Sequence, residues 1–232
     1  MEKEKIEPLI RAEDIKRFFA TPKGRLDILK GLSLSIKPSE TLSIMGPSGS
    51  GKSTLLAMLA GLDLPSEGSV FYKDLRLSAL NEDERAAWRA GRVGFIFQSF
   101  VLIDHLTVLE NVMLPMELGA QRNAKDKALE LLRKVGLEDR RSQTPRQLSG
   151  GEQQRVGIAR AFSTDPEILF ADEPTGSLDP ESAEIAQNLL FQMNEKHATT
   201  LILVTHDVGL AMRCGRQLVL KEGMLFEQGG PA

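Results

Sequence analysis

The sequence predicts a mixed α/β fold: a parallel sheet covered by helices, with a small antiparallel layer beside it and a helical subdomain inserted. Three observations lead there. Short apolar runs of strand length recur at residues 42–45, 93–97, 168–171 and 201–204, and such runs suit strands buried on both faces. Helix-like stretches lie between them. Residues 125–135 set Ala128, Leu129, Leu132 and Val135 along one face, and Gly136 follows where a helix end takes a residue tolerant of positive φ. The opening third, with residues 10–18, 26–36 and 69–71 separated by turn-rich segments, reads as antiparallel strands. From about Asn81 to Arg146 the chain reads as mostly helical apart from 93–97.

Composition bounds the function. The 232 residues carry 29 Lys+Arg against 32 Asp+Glu, a net charge of −3, so no basic field points to nucleic acid. The single cysteine, Cys214, excludes an intramolecular disulfide and a Cys-rich zinc cluster, and its expected role is that of a small buried hydrophobe. His105 and His197 lack metal-ligand spacing, and Tyr72 and Trp88 read as packing residues. The start, from Met1 to Pro8, is charged where a secretory signal would be apolar. No apolar run approaches the ~20 residues that span a bilayer. With no Gly/Ser-rich linker and no repeat, the expectation is one cytoplasmic domain over 1–232, its helical subdomain roughly 99–163.

The chemistry begins at Gly46-Pro47-Ser48-Gly49-Ser50-Gly51-Lys52-Ser53, which fits G-x-x-x-x-G-K-[ST] between an apolar strand and a helix-like run from Thr54. Glycines let successive backbone N–H groups converge on phosphate oxygens, and the helix N-terminus adds its dipole. Lys52 supplies a charge for the β/γ-phosphates, and the Ser53 hydroxyl suits Mg²⁺. Downstream, residues 168–171 form an apolar strand that ends in Asp172-Glu173. Ligands of open parallel sheets bind beyond the strands' carboxyl ends, so Asp172 is placed to face Mg²⁺ and Glu173 to orient or deprotonate a water. A third element, Leu148-Ser149-Gly150-Gly151-Glu152-Gln153-Gln154, stands before another helix-like run and offers a second set of N–H groups to an anion. One nucleotide rarely needs two cradles; the economical reading gives the second to a nucleotide held by another copy.

Over nearly its whole length the chain resembles the ATP-binding-cassette ATPases of the P-loop NTPases, whose signature the 148–154 string matches. The resemblance implies a RecA-like core, ATP and Mg²⁺ as substrate and cofactor, Gln98 as a catalytic and metal-facing glutamine, Ser177-Leu178-Asp179 as an interface loop and His206 of Thr205-His206-Asp207 as the switch histidine. The strings at 95–100, 109–112, 171–176 and 201–206 are similar to the lipoprotein-releasing and macrolide-export ATPases, with the YbbA-type branch nearest. The resemblance places the family's adenine-stacking aromatic in Lys16-Arg17-Phe18-Phe19, with Phe18 the choice and Phe19 the alternative. Ser39-Glu40 stands where the family commonly has Gly-Glu.

The resemblance further implies a head-to-tail homodimer with two ATP molecules between protomers. Residues 46–54, Gln98, Asp172, Glu173 and His206 would come from one chain, and Ser149, Gly150, Gly151 and Gln153 from the other, with Asp179 crossing the interface. It implies membrane permease subunits as partners, a place on the inner face of the cell membrane through them, and no nucleic acid. The apolar cluster Phe100, Val101, Leu102, Ile103 and Leu106 either docks that permease or packs the helical subdomain. A regulator of an envelope complex and an importer ATPase are the alternative functions. The short span between Lys52 and Ser149 leaves no room for the long coiled coils of repair clamps.

Overall fold

The structure, a computed structural model, describes residues 7–22 and 24–228. The chain divides into two compact units, Met1–Arg89 with Thr200–Ala232, and Ala90–Thr199.

The first unit opens with β1 (Ile10–Thr21) and β2 (Gly24–Ile36), an antiparallel pair whose inward residues Ile10, Ala12, Ile15, Leu29, Leu32, Leu34 and Ile36 are buried. The pairing carries irregularities; at one, Arg17 stands opposite Leu29 and Phe18 opposite Asp27, which leaves Ile28 as the extra residue of a bulge. β3 (Thr41–Met45) leads through a glycine-rich loop into α1 (Lys52–Leu59). β4 (Glu67–Tyr72) and β5 (Leu75–Arg76) complete a four-stranded sheet in the order β2-β1-β4-β5, and α2 (Glu82–Arg89) follows. Trp88 of α2 meets Tyr72 edge to face, ring centroids 5.4 Å apart, so both aromatics are packing residues as expected.

The second unit holds β6 (Val93–Phe97), α3 (Val108–Leu118), α4 (Ala124–Lys134), α5 (Gly150–Ala161), β7 (Ile168–Asp172) and α6 (Pro180–His197). β6 and β7 run parallel from Val93 opposite Ile168 to Phe97 opposite Asp172. Val112, Met116, Ala128, Leu131, Leu132, Val156 and Ile158 of the three central helices are buried, each large one contributing about 1.5–3 kcal/mol of apolar transfer. α4 closes on Gly136, whose φ of 70° no β-branched residue takes easily. α5 begins at Gly150 itself, because Ser149 and Glu152 cap it reciprocally and so offset the poor helix propensity of two glycines.

The chain then returns to the first unit with β8 (Thr200–Val204), α7 (Val208–Ala211), β9 (Arg216–Lys221) and β10 (Met224–Glu227). β3 lies between β8 and β9, parallel to both, and β10 closes on β9 antiparallel. Leu42, Ile44, Leu201, Ile202, Leu203 and Val204 are fully buried, as strands covered on both faces require. Among the described residues no helix is long and apolar enough to cross a membrane.

Cys214 is buried, and loss of solvent pushes its thiol up to about 12 against the weaker opposing pull of the Arg213 charge and the Ser43 hydroxyl. Native protein at pH 8 is therefore expected to resist a thiol reagent and to react with one equivalent once unfolded in denaturant. Fast reaction of the folded protein would contradict this burial.

Candidate nucleotide-binding site

In the first unit the site grows from the carboxyl end of β3. Gly46 lies so close to β9 that a Cβ there would stand 2.3 Å from the Leu220 carbonyl oxygen. Gly51 caps α1 in the left-handed region, φ 98°, where a Cβ would come 2.9 Å from Ile28 Cγ2. The two contacts fix the ends of the loop, and glycine alone fits both. Between them Ser50 N–H donates to the Pro47 carbonyl at 3.2 Å. Lys52 is buried, and its Nζ donates to the carbonyls of Gly46 (2.9 Å) and Pro47 (3.1 Å), so the ammonium arches back over the loop. Pro47, Ser48, Gly49 and Ser53 are exposed, Thr54 half-buried. No acidic residue sits in the first turn of α1, which leaves its positive end to an outside anion. Ser50 Oγ is buried and has no hydrogen-bond partner; with Lys52 and the positive end of α1, this donor set fits a polyphosphate.

His206 follows β8, the strand beside β3, so cradle and histidine leave adjacent carboxyl ends of one parallel sheet. Thr205 N–H donates to the Ile44 carbonyl at 3.3 Å, and Thr205 Oγ1 accepts from Asp207 N–H at 3.0 Å. The turn that presents the exposed His206 is thereby held in place.

Phe18 and Phe19 point to opposite faces of β1, as successive strand residues must. Phe18 lies under the Arg25 guanidinium, 3.5 Å from its ring centroid. Phe19 is 46% exposed and shares its face with Arg17, whose guanidinium stands 4.7 Å from the ring. Leu29, opposite Arg17 on that same face, reaches toward Gly51 of the cradle. The two arginines are partners that the sequence did not announce.

In the second unit Gln98, Asp172 and Glu173 come together where β6 and β7 end, since Phe97 and Asp172 are register partners. Glu173 takes φ 47°, and Gly176 N–H donates back to its carbonyl at 3.1 Å. The Gln98 amide packs on Gly176, its Nε2 3.1 Å from where a Cβ would stand, while Ser177 Oγ donates to the Gln98 carbonyl at 2.9 Å. Asp179 then caps α6 by accepting from Ser182 N–H at 3.0 Å, a bond that holds its carboxyl below the usual range.

Ser149, the cap of α5, accepts from Glu152 N–H at 3.3 Å, and Glu152 in return accepts from Ser149 N–H at 2.8 Å. That backbone bond is the main reason the Glu152 carboxyl lies low. A Cβ on Gly151 would strike Ser182 Oγ at 2.6 Å, so the starts of α5 and α6 are in close contact. Gln153 donates to the Leu148 carbonyl at 3.2 Å, and Gln154, buried and outside the predicted set, donates to the Pro174 carbonyl. The second unit thus gathers Gln98, Asp172, Glu173, Asp179 and 149–153, and the first gathers 46–54, His206 and the two phenylalanines. Among the described residues no cluster of three or more His, Cys, Asp or Glu suits a metal ion. A divalent cation here would rely on few protein oxygens plus phosphate, the usual habit of Mg²⁺.

A sequence profile described as ABC transporter matches residues 29–176. The chain belongs to the ABC transporter family. As an ABC transporter cassette it is 48% identical to the ABC transporter ATP-binding protein YbbA of Escherichia coli (strain K12), over 96% of this chain and 98% of that one. It is 42% identical to the lipoprotein-releasing system ATP-binding protein LolD of Idiomarina loihiensis, with the same coverage. The dimeric structure of MJ0796, a bacterial ABC transporter cassette, superposes with a TM-score of 0.86 at 39% identity, covering 95% of this chain and 99% of that one. A post-hydrolysis dimer of MJ0796 bound to ADP and Pi matches at the same TM-score and 38% identity. The fold is that of an ABC ATPase cassette.

Proposed function

We propose that this cassette, one ATPase domain with a helical subdomain at roughly 99–163, is the ATP-hydrolysing subunit of a membrane transporter of the lipoprotein-release type. In this reading it works as a head-to-tail homodimer on the inner face of the membrane. The observation that carries the reading is the polyphosphate cradle at 46–54 together with a second helix N-terminus, capped at Ser149, in the same chain. Kinship with YbbA and LolD and the dimeric MJ0796 cassettes support it.

Gly46, Pro47, Ser48, Gly49, Ser50, Gly51 and Thr54 bind the phosphates through the loop and the first turn of α1. Lys52 exchanges its two loop carbonyls for β/γ-phosphate oxygens. Ser53, Gln98 and Asp172 would hold Mg²⁺, which supplies charge neutralisation to the phosphate oxygens. Glu173 takes the proton of the attacking water, and Gln98 and His206 orient water and γ-phosphate. Ser149, Gly150, Gly151 and Gln153 of the second copy close over the γ-phosphate, with Asp179 across the interface. Closure excludes water from donors already in place, so hydrolysis waits on pairing.

Phe19 takes the base in preference to Phe18, because it shares the strand face that leads to the cradle. A phenyl ring stacks without offering a hydroxyl, which leaves base selectivity loose. The permease partner docks an apolar segment against Phe100–Leu106. There Val101 is 52% exposed, and a groove of about 300 Å³ is lined by Val93, Phe95, Phe97, Val101 and Pro115.

Two measurements test this reading. Phosphate release by Glu173→Gln is expected to fall by about 10²-fold or more with ATP affinity preserved; wild-type turnover in that variant would remove Glu173 as the base. Phe19→Ala is expected to weaken ATP binding by about fivefold to tenfold, in line with the worth of one base–aromatic stack, and Phe18→Ala to leave it near the wild-type value. The reverse order would assign the base to Phe18.

A further inference from the structure

Arg160, in the last turn of α5, is half-buried, and its guanidinium donates to backbone carbonyls. Its Nη1 donates to the Val101 carbonyl at 2.7 Å and its Nη2 to the Phe100 carbonyl at 3.1 Å. Both acceptors belong to residues in the left-handed region, Phe100 at φ 60° and Val101 at φ 50°. Two such residues in succession are uncommon, and a β-branched valine there is a genuine outlier that persists only when its surroundings hold it. The Phe100 ring rests on α5, 3.6 Å from where a Cβ on Gly150 would stand, and Val101 N–H donates to the Ser99 carbonyl at 2.6 Å. Two residues upstream is Gln98, whose carbonyl accepts from Ser177 Oγ. The segment 98–101 is therefore fastened at two points: by Ser177 at Gln98, and by the Arg160 fork at Phe100 and Val101.

We propose that Arg160 is a positioning residue for hydrolysis, acting through the carbonyls of Phe100 and Val101 to hold the strained segment that sets Gln98. The proposal rests on the reading of Gln98 as a hydrolysis residue. A planar fork is needed, because two carbonyls on consecutive residues require two donors in fixed relation, which a lysine ammonium does not supply. Arg160 also lines the groove with Val93, Phe95, Phe97 and Thr164. An occupant of the groove bears directly on the group that fastens Gln98.

The test is steady-state ATP hydrolysis by the full chain carrying Arg160→Lys, with melting followed in parallel. The expected result is a fall in kcat of about tenfold or more, the size of a small misplacement of a reacting group, with KM moving by no more than about twofold. Adding Val101→Gly should recover at least half of the lost rate, because glycine takes the left-handed backbone without strain. A packing role would not be relieved in that way. If Arg160→Lys does not fold, Arg160→Gln, which keeps one amide donor, takes its place in the same scheme. Unchanged kcat, or a loss that follows the melting temperature and is not relieved by Val101→Gly, would overturn the proposal. Unchanged kcat in Gln98→Ala would overturn the reading of Gln98 beneath it as well, whereas loss in Gln98→Ala with none in Arg160→Lys would overturn the proposal alone.

Discussion

The cassette depends on a short loop that must be tight at both ends and open in the middle. Gly46 is pressed against the Leu220 carbonyl and Gly51 against Ile28, and a side chain at either place would displace the loop from the strands that anchor it. With both ends fixed, the loop leads into the start of α1, whose first turn carries no acid to compete with an anion. Lys52 lies over the loop on two carbonyls, those of Gly46 and Pro47. The buried strands β3 and β8 hold this arrangement and deliver His206 beside it.

The second unit meets a related demand with other means. β6 and β7 end in register, so Gln98 and the acid pair leave the sheet side by side. Ser177 and Gly176 then lie against Gln98, Gln154 is buried against the Pro174 carbonyl, and Gly151 at the start of α5 lies close against Ser182 of α6. The ends of β6 and β7 and the capped helix at Ser149 thus belong to one packed framework. In such a framework a displacement at one end is not absorbed locally.

What the sequence made legible was local. Residues 46–54, 148–154 and 168–173 are contiguous strings that stand out by residue type and spacing, and the apolar runs marked β3, β6, β7 and β8 to within a residue, whereas β9 and β10 went unmarked. The Gly150-Gly151 pair stands at the start of α5, where the Ser149–Glu152 cap supplies what propensity lacks. Phe18 was chosen over Phe19 from sequence at a point that turns on which strand face meets the cradle, and a bulge at Ile28 hides that from alternation alone. Arg160 gave no signal at all. Its acceptors lie about sixty positions away, and their left-handed backbone is not written in Phe-Val, a pair that favours extended chain.

The central claim is that each nucleotide is enclosed by two copies of the chain, one giving the cradle and the other the capped helix at Ser149. The most direct measurement is the mass in solution of the Glu173→Gln chain with and without Mg²⁺ and ATP. The account predicts a species of twice 25.5 kDa that forms only with nucleotide and is lost when Ser149→Arg is added. A single mass of 25.5 kDa under every condition, or a pair indifferent to both nucleotide and Ser149, would contradict it.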